Sequence, residues 1–190
     1  MMLGEVPVLS LFDRPISGFN YAVKWLEDRI IALAVLALVW PVLLIVAAAI
    51  KLDSPGPVFF RQPREGYNNR TFHVLKFRSM RAADGQHDGI VQARRDDPRI
   101  TRVGAFIRRT SIDELPQFLN VLAGDMSVVG PRPHAASTRA GGRLFSDVVS
   151  SYAARHRVKP GITGWAQVHG WRGETHTEEQ LLRRLEHDLY

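Results

Sequence analysis

The longest apolar stretch of the chain lies near its N-terminus. Residues Ile30 to Ile50 include no charged side chain, and about twenty consecutive apolar residues are enough to cross a bilayer core as a helix. A secretory signal is the alternative interpretation, because Ala47–Ala49 resembles a small-residue cleavage site. Signal cores are shorter and lie closer to the N-terminus. We therefore predict a membrane helix over residues 30–50.

Pro41 divides this apolar stretch. Proline has no N–H to donate to the carbonyl of Ala37, so the helix is predicted to kink there. The kinked helix can either span the bilayer or turn back and leave on the side where it entered. Lys24 and Arg29 flank one end and Lys51 the other, so the positive charges do not distinguish the two geometries. On physical grounds alone we favour the span.

Shorter patterns on either side predict a small α+β domain over residues 51–190, joined to one membrane segment. Residues 1–29 are predicted to form an N-terminal lead-in, in which Asn20–Arg29 is a short interfacial helix with Asn20 as its cap. A turn cluster at 53–57 ends the membrane helix. The other predicted elements are strands at 58–60 and 71–78, a loop at 81–97, helices at 101–109 and about 115–123, a strand at 128–129, a helix at 144–156, a turn at 159–164, a strand at 165–168 and a helix at 177–190 capped by Thr177.

Charge is distributed unevenly along the chain, whose formal net charge is +6 and whose pI is about 10.2. Residues 61–109 contain 12 Arg and Lys against 5 Asp and Glu, whereas the remainder contains 13 against 14. A basic stretch directly after a membrane segment predicts an anionic partner: substrate phosphates, lipid head groups or nucleic acid. The chain has no cysteine, which excludes disulfides and thiolate–zinc sites. Its seven histidines show no metal-ligand spacing.

Candidate chemistry centres on two adjacent carboxylates, since the common phosphate-loop, dinucleotide and zinc motifs are absent from the sequence. Asp113 and Glu114 follow two arginines within Arg108–Pro116. At a helix N-terminus an aspartate stays ionised, and neighbouring guanidinium groups can neutralise phosphate oxygens. A structural role is equally open: Ser111 and Glu114 form an S-x-x-E capping box. Alternatively, Asp113 itself caps the helix, which suits Pro116 better.

Three further basic residues stand in positions suited to phosphate binding. Arg132 lies in Gly130–Pro133, where two prolines stiffen the loop around the guanidinium. Lys76 and Arg78 alternate with apolar residues, so both can project from one strand face. A structural turn and a solvated strand face explain these residues equally well. Trp165 is expected in the core of its predicted strand.

Taken together, these motifs resemble those of one family. The segments Lys76–Met80, Asp97–Arg102, Arg108–His134 and His156–Thr175 occur in the order seen in bacterial polyprenyl-phosphate phosphoglycosyl transferases. These are the initiating sugar transferases of exopolysaccharide, capsule and O-antigen synthesis. The resemblance extends from about residue 20 to the end of the chain. The ending GWRGET, residues 170–175, is most similar to the undecaprenyl-phosphate glucose or galactose phosphotransferase branch.

The resemblance implies roles that spacing does not supply. Asp113 is implied as the nucleophile that attacks the β-phosphorus of a UDP-hexose, with glucose favoured as the hexose, and releases UMP. The covalent aspartyl phosphosugar is then transferred to undecaprenyl phosphate. Glu114 is implied as a ligand of a Mg2+ cofactor. The predicted residues for substrate phosphate and nucleotide binding are Lys76, Arg78, Arg108 and Arg132.

The resemblance also implies a membrane arrangement that replaces the spanning helix favoured above. The helix would be re-entrant and broken at Pro41, so that a monotopic protein presents its catalytic domain on the cytoplasmic face of the bacterial inner membrane. Predicted partners are a UDP-sugar, undecaprenyl phosphate and the membrane, with no nucleic acid, and a homodimer is left open. Three departures from the family are Trp40 in place of a serine found in some members, the lack of preceding membrane helices, and the end at Tyr190. These leave open that the chain is a fragment.

Two other classes of function stay open at this stage. A membrane-tethered nucleotide- or nucleic-acid-binding module would use the basic stretch but give Asp113 no role. A non-catalytic scaffold in polysaccharide export would tolerate Asp113→Asn apart from a small change in capping. The transferase interpretation accounts for the apolar stretch, the basic stretch and the carboxylate pair together. It is the function we predict, with the hexose and the polymer undetermined.

Overall fold

The computed structural model describes residues 2–3, 6–7, 16–81, 97–134, 139–140, 143–144, 152–171, 173 and 177–189. In these ranges the helices are α1 Gly18–Asp53, α2 Arg102–Arg109, α3 Gln117–Ala123, α4 Trp165–Val168 and α5 Glu178–Leu189. The strands are β1 Met2–Leu3, β2 Val6–Pro7, β3 Phe59–Glu65, β4 Thr71–Phe77, β5 Ser127–Val129, β6 Arg139–Ala140, β7 Arg143–Leu144 and β8 Gly161–Thr163. Short 3₁₀ turns occupy Tyr67–Asn69, Ile112–Glu114 and Tyr152–Arg157. This mixture of helices and small sheets agrees with the predicted α+β class.

The described strands form two-stranded sheets. β3 and β4 make an antiparallel hairpin in which Phe59 pairs with Phe77 and Glu65 with Thr71. β5 and β8 are parallel, and the pairs β1–β2 and β6–β7 are antiparallel hairpins of two residues per strand. Residues directly opposite in an antiparallel pair share one face of the sheet. The even-numbered residues of β3 and β4 therefore lie on the same face of their hairpin.

Helix α1 is one continuous helix of 36 residues. The predicted division into an interfacial helix over Asn20–Arg29 and a separate membrane helix is wrong, because a backbone hydrogen-bond ladder continues regardless of a change in side-chain polarity. The helix begins after Ser17, not at Asn20, and it continues through Pro41 without a break. The re-entrant arrangement stays a prediction. Within the described ranges α1 is the one helix long and apolar enough to cross a membrane, judged by length and composition.

The rest of the domain contacts α1 near both of its ends. Near the start of α1, Oδ1 of Asp28 accepts hydrogen bonds from the Ser127 hydroxyl (3.0 Å) and the Val128 amide (2.9 Å). At the end of α1, Oδ2 of Asp53 accepts from the Val103 amide (3.0 Å). At 1.5 Å per residue, the two aspartates are about 38 Å apart along the helix. The domain therefore lies alongside α1 and not at one end of it.

Two clusters of buried apolar side chains form the core, and α1 contributes to both. The first contains Ala32, Val74, Val121 and Met126, and the second contains Val46, Ile50, Phe77 and Ile107. β4 supplies one residue to each cluster because residues at odd separation point to opposite faces of a strand. The opposite side of α1 is apolar and exposed, as shown by Leu33, Leu38, Trp40, Leu44, Ile45 and Leu52.

Several predicted elements between residues 58 and 129, and the last helix, are confirmed. β4, α2, α3 and β5 coincide with predicted elements to within about two residues, whereas β3 continues to Glu65 and the predicted strand at 58–60 covers only its start. Thr101 caps α2 by accepting from the Gly104 amide (2.9 Å), and α3 ends at Gly124, whose φ of 90° is left-handed. Thr177 caps α5 in a reciprocal capping box: its hydroxyl accepts from the Gln180 amide (3.2 Å), and Oε1 of Gln180 accepts from the Thr177 amide (3.3 Å).

Two predictions around residue 160 are wrong. The segment 159–164, predicted as a turn, contains strand β8, and Trp165–Val168, predicted as a strand, is the short helix α4. A glycine is needed at position 161 because the backbone of β8 lies very close to the residue that follows β5. A Cβ on Gly161 would lie 2.1 Å from the amide nitrogen of Gly130. Trp165, expected in the core, is 49% exposed on α4.

The predicted helix over 144–156 is wrong where the structure describes it. Arg143–Leu144 pairs with Arg139–Ala140, and Tyr152–Arg157 forms a 3₁₀ turn. Residues 145–151 lie outside the described residues, as does most of the predicted loop at 81–97. In the lead-in, predicted to lack regular structure, Met2–Leu3 and Val6–Pro7 pair as strands.

Candidate active site

The adjacent carboxylates Asp113 and Glu114 lie in the 3₁₀ turn between α2 and α3. Helix α3 begins only at Gln117, and its cap position is occupied by Pro116. The predicted capping box of Ser111 with Glu114 is therefore wrong, and so is the alternative in which Asp113 caps the helix. Both assumed that the helix starts at the carboxylates, but the tight turn comes first.

Glu114 is held between two cationic side chains from distant parts of the chain. Nζ of Lys76, on β4, lies 2.8 Å from Oε1 of Glu114. Arg132 approaches the same carboxylate with both terminal nitrogens, at 2.5 Å from Oε1 and 3.2 Å from Oε2. Burial alone would raise the pKa of Glu114, but the hydrogen bond and charge of Arg132, together with Lys76, lower that pKa to about 2. Glu114 is thus an ionised carboxylate that holds the side chains of Lys76 and Arg132 in place.

Asp113 has the opposite electrostatic setting. Burial raises the pKa of this half-buried carboxyl, and the charge of Glu114 acts in the same direction. The positive charges of Lys76 and Arg108 oppose that rise without cancelling it. The prediction placed Asp113 at a helix N-terminus, which would lower its pKa, but the residue lies in the 3₁₀ turn and burial raises that pKa. Neighbouring carboxyls whose pKa values are driven apart are suited to different chemical roles.

The four predicted phosphate-binding residues are not all in one place. Lys76 and Arg132 meet at Glu114, and Arg108 is an exposed residue of α2 whose charge acts on Asp113. Arg78 is directed elsewhere. Its guanidinium donates to the carbonyl oxygens of Ser54 (2.7 Å) and Pro55 and to the Ser54 hydroxyl (3.0 Å).

Arg78 therefore connects the end of β4 to the end of α1. It is 6% exposed, and the neighbouring backbone makes room for it: a Cβ on Gly56, where φ is +116°, would lie 2.2 Å from the guanidinium. The expectation that Lys76 and Arg78 project together fails because β4 ends at Phe77. These contacts are structural, and a role for Arg78 in substrate binding stays a prediction.

A buried ion pair supports the loop that holds Arg132, and no sequence motif pointed to it. Nη2 of Arg155 lies 2.7 Å from both the Arg132 carbonyl and Oδ2 of Asp188, on α5. Arg155 and Asp188 have side-chain exposures of only 2% and 3%. Burial, followed by the charges of Arg155 and Arg184, holds the pKa of His134 well below its ordinary value. The imidazole of His134 is therefore uncharged where it contacts Arg155.

A cleft of about 290 Å³ opens beside Glu114. Its lining comes from the 3₁₀ turn, α3, β8 and α4, and consists of Ser111, Glu114, Leu115, Phe118, Ile162, Thr163, Gln167 and Val168. Largely apolar walls with a few polar groups are typical of small-molecule sites. Glu114 thus lies at the edge of a space large enough for part of a ligand.

The donor set at this site is compatible with magnesium. Within the ranges that the structure describes, no group of three or more His, Cys, Asp or Glu side chains could hold a metal ion. Mg2+ is, however, commonly bound by one or two carboxylates together with substrate phosphates. Asp113 and Glu114 provide two adjacent carboxylates, and Oε2 of Glu114 makes the longer contact with Arg132. These residues fit an ion shared with a phosphorylated ligand.

Comparison with known proteins gives strong similarity over almost the whole chain. A family model described as bacterial sugar transferase matches residues 19–190. A UDP-glucose:undecaprenyl-phosphate glucose-1-phosphate transferase of Escherichia coli (strain K12) is 53% identical over 98% of this chain and 39% of its own length. A protein of the same name from Klebsiella pneumoniae is 51% identical, with 98% and 39% covered. An undecaprenyl-phosphate glucose phosphotransferase of Komagataeibacter xylinus is 54% identical, with 98% and 35% covered.

This chain therefore corresponds to less than two fifths of the length of those relatives. The segment that suggested the glucose branch, residues 170–175, lies partly outside the described residues. Its contribution to the site stays a prediction.

Proposed function

This chain belongs to the bacterial sugar transferase family, and from that premise we propose that it transfers a hexose-1-phosphate from a UDP-sugar to undecaprenyl phosphate. Glucose is the proposed hexose because the relatives compared above carry glucose in their names. The product would initiate an exopolysaccharide, capsule or O-antigen chain. Neither a nucleic-acid-binding module nor an export scaffold gives the carboxylate pair a role.

The observation that carries this proposal is the unequal setting of Asp113 and Glu114. Glu114 is fixed by Lys76 and Arg132, whereas Asp113 has a raised pKa and a cationic neighbour, Arg108. A carboxylate of raised basicity beside positive charge is suited to attack phosphorus, because the cations stabilise charge on the phosphoryl oxygens.

In the proposed reaction, an oxygen of Asp113 forms a bond to the β-phosphorus of the UDP-sugar. The bond from that phosphorus to the bridging oxygen breaks, and UMP leaves with the electron pair. A phosphate oxygen of undecaprenyl phosphate then attacks the same phosphorus, and the Asp113 carboxylate is released. Two successive displacements occur at the same phosphorus, and Asp113 carries the phosphosugar between them, which gives a ping-pong course.

Basic side chains orient the phosphates in this scheme. Arg132 presents a planar fork, which suits phosphate oxygens as well as the carboxylate it contacts. Lys76 supplies a compact charge on the same side. When bound, Mg2+ would be held by Glu114, together with Asp113, and would neutralise phosphate charge. Lys76 and Arg132 lower the pKa of Glu114 and so keep it ionised.

We also propose that α1 enters and leaves the bacterial inner membrane on the cytoplasmic side, with its turn at Pro41. Support comes from Asp28 and Asp53, which are hydrogen-bonded to one domain although they are far apart along α1. A straight span would separate those two ends by the thickness of a bilayer core. The exposed apolar side of α1 would face lipid.

The covalent mechanism is tested by the intact mass of the purified protein in detergent after incubation with UDP-glucose and magnesium. We expect the wild type to gain one hexose phosphate and to release UMP. Asp113→Asn should show no adduct, and its UMP release should fall by about 10³-fold or more. Asp125→Asn is the matched control, because Asp125 is an exposed aspartate beyond the end of α3.

An adduct that persists in Asp113→Asn would show that another residue is the nucleophile. An adduct formed with a different UDP-hexose would correct the sugar and leave the mechanism intact. UMP release without an adduct in the wild type, when undecaprenyl phosphate is withheld, would argue for hydrolysis and against the covalent course.

A further inference from the structure

Arg64 is a third basic side chain beside the Glu114 cluster, and nothing above assigns it a role. It lies on the same face of the β3–β4 hairpin as Lys76, because the register pairs Phe60 with Lys76 and even-numbered residues share a face. The charges of Arg132 and Glu114 both act on Arg64. The β3–β4 hairpin therefore positions both Arg64 and Lys76, and Lys76 contacts Glu114.

Arg64 has no carboxylate of its own in the described part of the chain. Its guanidinium donates to Oε1 of Gln62 (2.5 Å), a neutral amide on the same strand. Glu114, the carboxylate that acts on it, already forms ion pairs with Lys76 and Arg132. With Arg108 beside Asp113, four cationic side chains thus lie around two carboxylates. Among the described residues no further carboxylate forms an ion pair with Arg64, Lys76 or Arg132, and the surplus positive charge favours binding of an anion.

The relative position of Arg64 and Arg132 is fixed by the backbone. The amide of Glu65, next to Arg64, donates to the carbonyl of His134 (3.3 Å), two residues after Arg132. Arg155 holds the carbonyl of Arg132 itself. Two guanidinium groups of like charge are therefore held near each other in a half-buried site, although the closeness costs energy. Burial and the charge of Arg132 lower the pKa of Arg64 to about 10, so it is still charged at neutral pH.

We propose that Arg64 is a phosphate-binding residue, which acts with Arg132 on the oxygens of a substrate phosphate group. The proposal rests on the function proposed above, because it assumes a phosphorylated substrate at this site. The phosphate can belong to the nucleotide or to the prenyl phosphate, and the chemistry that Arg64 recognises is the same in both. Arginine suits this task because its planar fork matches phosphate geometry.

Binding of UDP and of farnesyl phosphate to the detergent-held protein tests the proposal directly by calorimetry. Arg64→Gln should weaken at least one of them by about 10- to 100-fold, the effect of one charge-assisted hydrogen bond. Arg61→Gln is the matched control: Arg61 is an exposed arginine on the opposite face of β3, and the change should alter binding by less than about twofold. Loss confined to UDP assigns Arg64 to the donor, and loss confined to farnesyl phosphate assigns it to the acceptor.

Thermal unfolding without ligand separates this role from a structural one. Arg64→Gln should leave the Tm unchanged or raise it, because the variant removes a buried surplus charge that repels Arg132. Unchanged affinity for both ligands would overturn the proposal while leaving the proposed function in place. No measurable binding of UDP by the wild type would instead overturn both.

If Arg64→Gln lowers both the Tm and the affinity, Arg64→Lys decides. Recovery of affinity by the lysine supports a phosphate contact, since charge is restored without the original packing. Affinity as weak as in the glutamine variant, with the Tm restored, overturns the proposal.

Discussion

Asp113 and Glu114 are chemically almost the same and adjacent in the chain, yet their surroundings give them different tasks. The pKa of Glu114 is lowered to about 2, with Arg132 and Lys76 as the causes that overcome burial. Burial raises the pKa of Asp113. The difference between the two pKa values comes from burial of Asp113 and from the contacts of Glu114 with Arg132, in the loop after β5, and Lys76, on β4. A residue's role is thus set by neighbours that are remote in sequence.

The contribution of Arg108 is testable through pH dependence. Its positive charge lowers the pKa of Asp113, so Arg108→Gln should raise that pKa further. Because the proposed reaction needs the ionised carboxylate, the acidic limb of kcat/KM for UDP-glucose should move to higher pH. UMP release measured between about pH 4.5 and 8 gives the limb.

Arg109→Gln provides the comparison, since Arg109 is the next residue of α2 and is equally exposed. Its charge is not among the main influences on Asp113. Equal displacement of the limb by both variants would mean that net charge alone is responsible, and would contradict a specific role for Arg108.

Among the elements, α1 does the most to organise the molecule, because side chains near both ends of it are hydrogen-bonded into the domain. Asp28 accepts from β5 through Ser127 and Val128, and Asp53 accepts from Val103 at the start of α2. The last carbonyl groups of a helix have no hydrogen-bond partner within the helix. At the end of α1 the guanidinium of Arg78 donates to one of them, the carbonyl oxygen of Ser54. The turn Ile112–Glu114 between α2 and α3 is thereby positioned against α1, where Ile112 packs on the cluster that contains Val46 and Ile50.

Arg78 gives a prediction that separates stability from binding. Arg78→Ala removes a buried guanidinium and leaves the carbonyls of Ser54 and Pro55 without this donor, so it should cost about 2–4 kcal/mol of stability. The affinity for UDP should stay within about threefold of the wild type, since Arg78 is turned away from Glu114. Thermal unfolding and UDP titration measure the two effects.

Lys76→Ala is the informative partner, because Lys76 lies only two residues before Arg78, on β4, but contacts Glu114. It should weaken UDP binding more than Arg78→Ala does. If Arg78→Ala loses UDP affinity and keeps its Tm, Arg78 is a substrate-binding residue after all, as the sequence alone suggested.

For the whole molecule, the arrangement of the domain along α1 determines how it can meet a membrane. Residues that contact the domain occur from Asp28 to Asp53, whereas the opposite side of α1 is apolar and exposed. The proposed re-entrant segment accounts for the attachment of one body near both ends of an apolar helix. The active-site cleft would then lie close to the bilayer, where a polyprenyl phosphate resides.

Topology is testable because the chain has no cysteine. Single cysteines at Phe19→Cys and Leu52→Cys, at positions 82% and 90% exposed, should both react with a membrane-impermeant maleimide from the cytoplasmic side. Inverted membrane vesicles and intact spheroplasts give the two sides. Leu38→Cys, in the middle of the apolar stretch, should react only after detergent is added. Labelling of positions 19 and 52 from opposite sides would establish a span.

Features set by local chemistry were predictable from the sequence. The apolar stretch of α1, strand β4, helices α2 and α3 with Gly124 as the stop, and the cap of α5 at Thr177 all follow from residue periodicity and short-range hydrogen bonding. The sequence also showed the ordered motifs of the family and the candidate pair Asp113 and Glu114.

The tertiary structure decided what depends on contacts between distant residues. It brought Arg64 beside the Glu114 cluster, directed Arg78 to the end of α1, and placed Gly161–Thr163 in a parallel pair with β5 that no local pattern signals. It also raised the pKa of Asp113, where a helix N-terminus would have lowered it, because desolvation depends on everything packed around the carboxyl and not on its neighbours in sequence. Local propensity is a property of a few consecutive residues, whereas burial and charge compensation are properties of the assembled fold.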